Sequence, residues 1–186
     1  HTGGSDVAAL KTYAKKDGDD YIINGQKMWI TNATQADYFC TLLNTSDDKP
    51  HENKSLVIIP SNLPGVEVGE KIDKLGLRTS DTAPVYFDNV RVPMRYRIGE
   101  EGSGFSMQMQ QFQEERIFLA ASTLVILDDC IEQTISFCKD RSAFGKRIID
   151  NQAIQFRLAE LQIEIEALRS LIYRACEDFV DGKDMT

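Results

Sequence analysis

The stretch Tyr21-Ile22-Ile23-Asn24-Gly25-Gln26-Lys27-Met28-Trp29-Ile30-Thr31 places two β-favouring runs on either side of an Asn-Gly pair. Asn-Gly tolerates the positive φ angles of a type I′ turn, so this pattern predicts a β-hairpin. Further strands, separated by Gly, Pro, Asn and Asp, are predicted at residues 37–43, 55–59, 66–70 and 84–92. Because no crossover helix is predicted between these strands, we expect an antiparallel barrel or sandwich rather than a parallel sheet.

Beyond Pro93 the hydrophobic period changes to that of a helix. One apolar stripe, predicted over residues 151–181, consists of Ile154, Leu158, Leu161, Ile165, Leu168, Ile172, Ala175 and Phe179. An earlier helix is predicted over residues 103–138, with the inward-facing side chains Phe105, Met109, Phe112, Leu119, Leu127, Ile131 and Ile135. We therefore expect an α+β fold in which two long antiparallel helices of an incomplete four-helix bundle follow the β-domain, with no strand after residue 103.

The composition is that of an acidic globular protein. With 42% hydrophobic residues the chain can bury a core, whereas its net charge of -8 disfavours binding to nucleic acid. No run of about 18 apolar residues predicts a transmembrane segment. The four cysteines have no metal-ligand spacing and are interpreted as reduced thiols. Neither end resembles a signal peptide, and both resemble connections, so we expect a chain cut from a longer protein.

Trp29 and Thr31 are candidate ligand contacts. They are two residues apart on a predicted strand, so both side chains are expected on the same side. An indole can cover one face of a planar heteroaromatic ligand while a hydroxyl bonds to its edge. The alternative, a packed tryptophan beside an ordinary strand threonine, is compatible with the same residues.

Two short segments could bind phosphate. Gly3-Gly4-Ser5-Asp6 offers backbone amides and the Ser5 hydroxyl, and the link between the helices offers Arg141, Ser142 and Lys146. An ordinary turn and a solvated charged link are the respective alternatives.

Glu115 is a candidate general base. It follows Phe112 by three residues and precedes Leu119 by four, so its carboxylate is expected beside the apolar stripe. Burial makes a carboxylate a stronger base near neutral pH, whereas pairing with Arg116 would weaken it. A solvated patch formed by Glu114, Glu115 and Arg116 is the alternative.

Several segments occur in the order found in one known family. They include Ser5-Asp6-Val7, Ile23-Asn24-Gly25-Gln26-Lys27-Met28-Trp29-Ile30-Thr31-Asn32, Leu75-Gly76-Leu77-Arg78-Thr79-Ser80-Asp81-Thr82, Val85-Tyr86-Phe87-Asp88-Asn89-Val90-Arg91-Val92-Pro93, Gly102-Ser103-Gly104-Phe105 and Asp140-Arg141-Ser142-Ala143-Phe144-Gly145-Lys146. Over nearly its whole length the chain thus resembles the acyl-CoA dehydrogenases. The resemblance implies a middle β-domain over residues 1–98 and the start of a C-terminal helical domain over residues 99–186.

The resemblance also implies FAD as cofactor, acyl-CoA as substrate, and a homotetramer or homodimer. The implied reaction removes a proton from Cα and a hydride from Cβ, leaving a trans-2-enoyl-CoA and reduced flavin. An electron-transfer flavoprotein or similar acceptor would then take the electrons. The implied location is the mitochondrial matrix in a eukaryote and the cytoplasm in a bacterium.

Carried over residue by residue, the resemblance makes Trp29 and Thr31 flavin contacts. Ser5 would bind the FAD pyrophosphate or the CoA end of the substrate. Arg141 would reach the FAD pyrophosphate of a neighbouring subunit, where Ser142 and Phe144 would help to form the pocket. The lead-in His1-Thr2-Gly3-Gly4 departs from the family's commoner Pro-Gly-Ala-Gly.

In most of the family the catalytic base is a glutamate in a Tyr-Glu-Gly-Thr-like segment, and these 186 residues contain none. In the long-chain and isovaleryl branches the base lies on the first long helix of the C-terminal domain, directly before an arginine. Glu115-Arg116 occupies that place, which implies Glu115 as base and Arg116 as a substrate contact.

Two alternatives to this enzyme segment remain open. A truncated, non-catalytic family member could act as a binding or assembly module, and we expect the chain by itself to be inactive. Some branches of the family act on DNA damage or nitroalkanes, although the acidic charge disfavours the DNA version.

Overall fold

The computed structural model describes residue 4 and residues 6–183, and the chain divides into two units, one up to Met109 and one from Gln110. The strands of the first unit are β1 (Tyr13–Asp17), β2 (Asp20–Thr31), β3 (Tyr38–Asn44), β4 (Lys54–Pro60), β5 (Val66–Val68), β6 (Thr82–Pro93) and β7 (Arg97–Ile98). The later elements are α1 (Gly104–Asp140), β8 (Ser142–Ala143), β9 (Lys146–Arg147) and α2 (Gln152–Val180). The predicted α+β fold is confirmed.

The seven strands form one sheet in the order β5-β6-β2-β1-β3-β4-β7. Every pairing is antiparallel except the contact of β1 with β3, which is parallel and joins Tyr13 to Asn44. Alternate side chains of the long strands are fully buried, among them Tyr21, Ile23, Leu43, Val57, Ile59, Val85, Val90 and Val92. This period of two buries one face of the sheet and supplies the main hydrophobic stabilisation of the unit.

The hairpin predicted at Asn24-Gly25 is wrong. β2 continues through these residues, and the turn lies earlier, at Gly18 and Asp19, where it joins β2 to β1. β1 was not predicted from the sequence because this short strand is lysine-rich and buries a single apolar side chain, that of Ala14.

Asn24 and Gly25 form a β-bulge instead of a turn. The register of β2 against β6 shifts between Ile23 and Gly25, and the Asn24 side chain bonds to Asn89 across the shift. Gly25 has a φ of 134°, and a Cβ there would lie 2.8 Å from the Cα of Thr12. Asn-Gly thus marked a positive φ correctly, but a bulge needs that conformation as much as a turn does.

In the second unit α1 and α2 form a helical hairpin. Their shared core contains Leu124, Ile131, Leu158, Ile165 and Ile172. Arg169 donates two hydrogen bonds, of 2.7 and 2.9 Å, to the carboxylate of Asp128 on the facing helix. Both helices end within two residues of the predicted positions, which confirms the change of period near Pro93.

Leu119 was expected to face inward, and this expectation is wrong because its side chain is 62% exposed. The buried positions on α1 follow a seven-residue step through Leu124, Ile131 and Cys138. Leu119 lies about 140° around the helix from Leu124, so it is off that stripe. No helix in residues 6–183 is both long enough and apolar enough to cross a membrane.

The link between the helices contains a hairpin that was not expected after residue 103. β8 and β9 pair through Ser142 with Arg147 and Ala143 with Lys146. Their two-residue turn has positive φ at both Phe144 (49°) and Gly145 (73°), as a type I′ turn requires.

Candidate functional site

Trp29 lies in a second bulge of β2. The register against β6 shifts again between Lys27 and Ile30, and Trp29 has a φ of 64°. That conformation is strained for a bulky side chain, and such strain concentrates at ligand sites. The indole is 63% exposed, so it can cover a planar ligand.

Thr31, the last residue of β2, pairs with Thr82 of β6 and is exposed. Successive side chains alternate between the two faces of a sheet only where the strand is regular. Because the bulge interrupts the strand at Trp29, alternation does not determine whether Trp29 and Thr31 point to the same side. The structure does place both at the same end of β2, within two residues of each other.

A cavity of about 380 Å³ adjoins this end of β2, and its lining includes Lys27, Thr31, Tyr38, Cys40 and Phe87. The Nζ of Lys27 donates a 2.6 Å hydrogen bond to the carbonyl of Leu42. Burial of the amine, reinforced by the positive charge of Lys54, lowers the pKa of Lys27 from 10.5 to about 8. The folded state therefore disfavours the charged form of this lysine.

Replacement of Lys27 by Met should stabilise the protein at pH 7. The lowered pKa corresponds to a cost of about 3 kcal/mol for the buried cation, and loss of the Leu42 contact offsets part of that gain. We expect a net gain in unfolding free energy of about 2 kcal/mol, measured by urea denaturation.

The gain should shrink as the pH rises. Between pH 8 and 10.5 the unfolded chain binds more protons at residue 27 than the folded chain does, so wild-type stability increases with pH there and that of Lys27→Met does not. Lys15→Met, at an exposed position on β1, is the control and should have little effect. Equal stability of wild type and Lys27→Met at pH 7 and pH 9.5 would refute the assignment.

Glu115 lies on α1 and is exposed, so the expected buried carboxylate is not found. Gln111 donates a 3.4 Å contact to it from one turn earlier. The guanidinium of Arg116 lies 5.6 Å from the ring centre of Phe112, and no ion pair among the described residues joins it to Glu115.

The surroundings of Glu115 on its helix are nonetheless apolar. Phe118 and Leu119, three and four residues further along, are 68% and 62% exposed. These positions share the face of Glu115 on an α-helix. Any molecule that covered this face would remove the carboxylate from water together with the two apolar side chains.

Arg141, Ser142 and Phe144 lie together on the exposed β8–β9 link. Backbone bonds fix the link, because Arg141 N donates to Phe137 O and Arg141 O accepts from Ile148 N, each at 2.9 Å. Within the described ranges the guanidinium of Arg141 forms no ion pair, so it is available to a phosphate. Ser5, the other predicted phosphate contact, lies outside the described residues.

Two family models match the chain and together span most of it. The model described as acyl-CoA dehydrogenase, middle domain, matches residues 1–90, and the model described as acyl-CoA dehydrogenase, C-terminal domain, matches residues 102–186.

Individual proteins agree with these models. The mitochondrial short/branched chain specific acyl-CoA dehydrogenase of Bos taurus is 37% identical over 182 residues, which are 98% of this chain and 42% of that protein. The crystal structure of an acyl-CoA dehydrogenase from Geobacillus kaustophilus has a TM-score of 0.91 and 39% identity, covering 98% of this chain and 49% of that one. A structure described as the electron transferring flavoprotein of Acidaminococcus fermentans has a TM-score of 0.90 and 35% identity, and the match covers 98% of this chain and 48% of that one. The chain therefore spans about half the length of the proteins that it matches.

Proposed function

Because the chain belongs to the acyl-CoA dehydrogenase family, we propose that it serves the α,β-dehydrogenation of acyl-CoA thioesters to trans-2-enoyl-CoA. The family uses FAD as its cofactor. The observation that best supports the proposal is the strained, exposed Trp29 beside the exposed Thr31 at the end of β2, since an indole and a hydroxyl suit a flavin ring and its edge.

The residues present fit FAD. Trp29 would cover one face of the isoalloxazine, and the Thr31 hydroxyl would bond to the edge of the ring. When bound, FAD would supply the acceptor for the hydride that leaves Cβ of the substrate. Arg141, with Ser142 and Phe144 beside it, would hold the pyrophosphate of the FAD in a neighbouring subunit, and Ser5 would contact a pyrophosphate or the CoA end of the substrate.

Glu115 would remove the Cα proton. An exposed carboxylate is a weak base, so bound substrate has to displace water from it, and the apolar surface of Phe118 and Leu119 favours that displacement. Arg116 would contact the substrate. The proton moves to a Glu115 oxygen while the hydride leaves Cβ, so the substrate loses two hydrogens and gains a double bond.

The domain boundary and the assembly belong to the same proposal. We place the middle β-domain at residues 1–98 and the helical domain at residues 99–186, in a homotetramer or homodimer that passes electrons to an electron-transfer flavoprotein or a similar acceptor. The relatives include a mitochondrial and a bacterial protein. We accordingly propose the mitochondrial matrix in a eukaryote and the cytoplasm in a bacterium.

Replacement of Thr31 by Val tests the flavin contact. The change keeps the shape of the side chain and removes its hydroxyl, so the visible absorption bands of bound FAD should shift and substrate-driven reduction should slow, while acyl-CoA still binds. Thr79→Val, on an exposed loop, is the control. An unchanged flavin spectrum in Thr31→Val would show that Thr31 does not contact the ring.

A further inference from the structure

The chain turns sharply directly after Thr31. Asn32 has a φ of 61°, and residues Ala33–Gln35 form one turn of 3₁₀-helix in which Ala33 is 2% exposed. The Asn32 side chain accepts no hydrogen bond from the backbone of this turn. The free N–H groups at the start of the turn therefore need an acceptor from another part of the chain.

Asp81 supplies that acceptor. Its Oδ2 accepts from the backbone N of Thr34 at 2.8 Å, its Oδ1 accepts from Nε2 of Gln35 at 2.9 Å, and its carbonyl accepts from the backbone N of Asn32 at 3.0 Å. The residue is 5% exposed. The Thr34 amide, more than any other group, lowers the pKa of the Asp81 carboxyl, which keeps the carboxylate ionised and able to accept both bonds.

The residues on either side of Asp81 in the chain are themselves fixed by hydrogen bonds. Thr82, the next residue, pairs with Thr31 and accepts at its carbonyl from Ile72 N at 2.8 Å. The preceding loop is braced by Lys74, whose Nζ donates to the Ser80 hydroxyl at 3.0 Å. Asp81 thus joins a fixed loop to the turn that follows Thr31.

The hydrogen bonds of Asp81 to residues 32–35 matter because Trp29, shortly before them in the chain, has a strained φ. A strained residue keeps its conformation only where the surrounding structure fixes the chain on both sides of it. After Trp29, β2 is held to β6 by two residue pairs, Ile30 with Ala83 and Thr31 with Thr82. Beyond β2, the hydrogen bonds of residues 32–35 to Asp81 fix the chain.

We propose that Asp81 is a positioning residue that holds the end of β2 in the geometry in which Trp29 and Thr31 contact the flavin. The proposal rests on the proposed function, because it takes this end of β2 as a flavin contact. Asp81 does not touch the flavin and acts through the turn after Thr31.

Asp81→Asn in the FAD-bound enzyme tests the proposal. The amide oxygen can still accept from Thr34 N. The Gln35 amide must turn over so that its Oε1 accepts from the new amide nitrogen, which replaces a charge-assisted bond by a neutral one and removes the 3.3 Å bond from Gln35 Nε2 to Asn32 Oδ1. Loss of this partly buried, charge-assisted hydrogen bond should raise the dissociation constant of FAD about tenfold and shift its visible absorption bands as Thr31→Val does.

The double variant Asp81→Asn with Gln35→Glu should restore the charge-assisted hydrogen bond between the side chains at positions 81 and 35. The new carboxylate at position 35 accepts from the new amide at position 81, so the bond returns with its polarity reversed and the net charge unchanged. We expect FAD affinity and the flavin spectrum to return towards wild type. Asp88→Asn, the same chemical change at an exposed position of β6, should leave both unchanged.

Wild-type FAD affinity and an unshifted spectrum in Asp81→Asn would overturn the proposal, as would a double variant no better than the single one. If Asp81→Asn does not fold, Gln35→Met removes the Gln35 side-chain bonds to Asp81 and Asn32, keeps the backbone bonds to Asp81, and should still weaken FAD binding. Unchanged FAD binding in Gln35→Met would overturn the proposal. If Thr31→Val shifts the flavin spectrum and the Asp81 variants do not, the Asp81 proposal alone fails. If Thr31→Val has no effect either, the proposed flavin contact fails and the Asp81 proposal with it.

Discussion

Replacement of Glu115 by Gln in the FAD-bound enzyme should reduce turnover about 10²- to 10⁴-fold, the usual contribution of a positioned general base. Glutamine keeps the shape and polarity of the side chain but cannot accept the Cα proton. FAD should remain bound and yellow, because Glu115 is proposed to act on the substrate and not on the cofactor. Steady-state kinetics and the visible spectrum of the purified variant measure the two effects separately.

Glu114→Gln is the matched control, since it makes the same change at the adjacent exposed residue of α1. Adjacent residues point about 100° apart around a helix, so Glu114 should not reach the same substrate atom. Its turnover should stay near wild type. Near wild-type turnover of Glu115→Gln itself would mean that the base lies elsewhere.

Replacement of Arg141 by Gln should weaken FAD binding about 10- to 100-fold. Charge-assisted hydrogen bonds to a phosphate are typically worth about 1.5–3 kcal/mol, and glutamine supplies no charge. Arg141 is exposed on the β8–β9 link, and within the described part of the chain it forms no ion pair, so little of this effect should come from lost stability. Equilibrium binding of FAD to the apoprotein measures the change.

Arg157→Gln is the control for Arg141, because Arg157 is exposed on α2 and bonds to Glu160 at 3.2 Å. Exposed ion pairs of this kind contribute little. FAD affinity should be unchanged in Arg157→Gln and strongly reduced in Arg141→Gln. Equal affinity in both variants would exclude a pyrophosphate contact for Arg141.

The fold was predictable where hydrophobic periodicity is strong. The change of period near Pro93 gave both long helices to within two residues, and the apolar strands β3, β4 and β6 were found close to their true bounds. The failures have local causes. β1 buries only Ala14, and Asn24-Gly25 marks a positive φ without indicating whether a bulge or a turn will use it.

The candidate site was predictable in residue type and less so in environment. Trp29, Thr31, Glu115 and Arg141 were singled out from the sequence, and all four are exposed here. The strain at Trp29 was not foreseen, because it follows from a shift of register against β6. Asp81 was missed because an aspartate normally caps the helix that follows it, whereas this one caps a turn some 47 residues earlier in the chain.

The exposure of Glu115 also limits what the sequence could establish. Phe112 and Leu119 were interpreted as part of an apolar stripe beside the carboxylate, yet Leu119 is exposed to solvent, and so is Phe118 on the same helix face. Sequence spacing identifies which side chains share a face, but it does not show what covers that face.

The most direct measurement is an anaerobic titration of the FAD-bound enzyme with acyl-CoA thioesters of graded chain length, followed by flavin absorbance. For at least one chain length the account predicts that the yellow colour bleaches as trans-2-enoyl-CoA forms, and that Glu115→Gln bleaches at least about 10²-fold more slowly. An enzyme that binds FAD and acyl-CoA but never bleaches would contradict the account and favour a non-catalytic binding or assembly module.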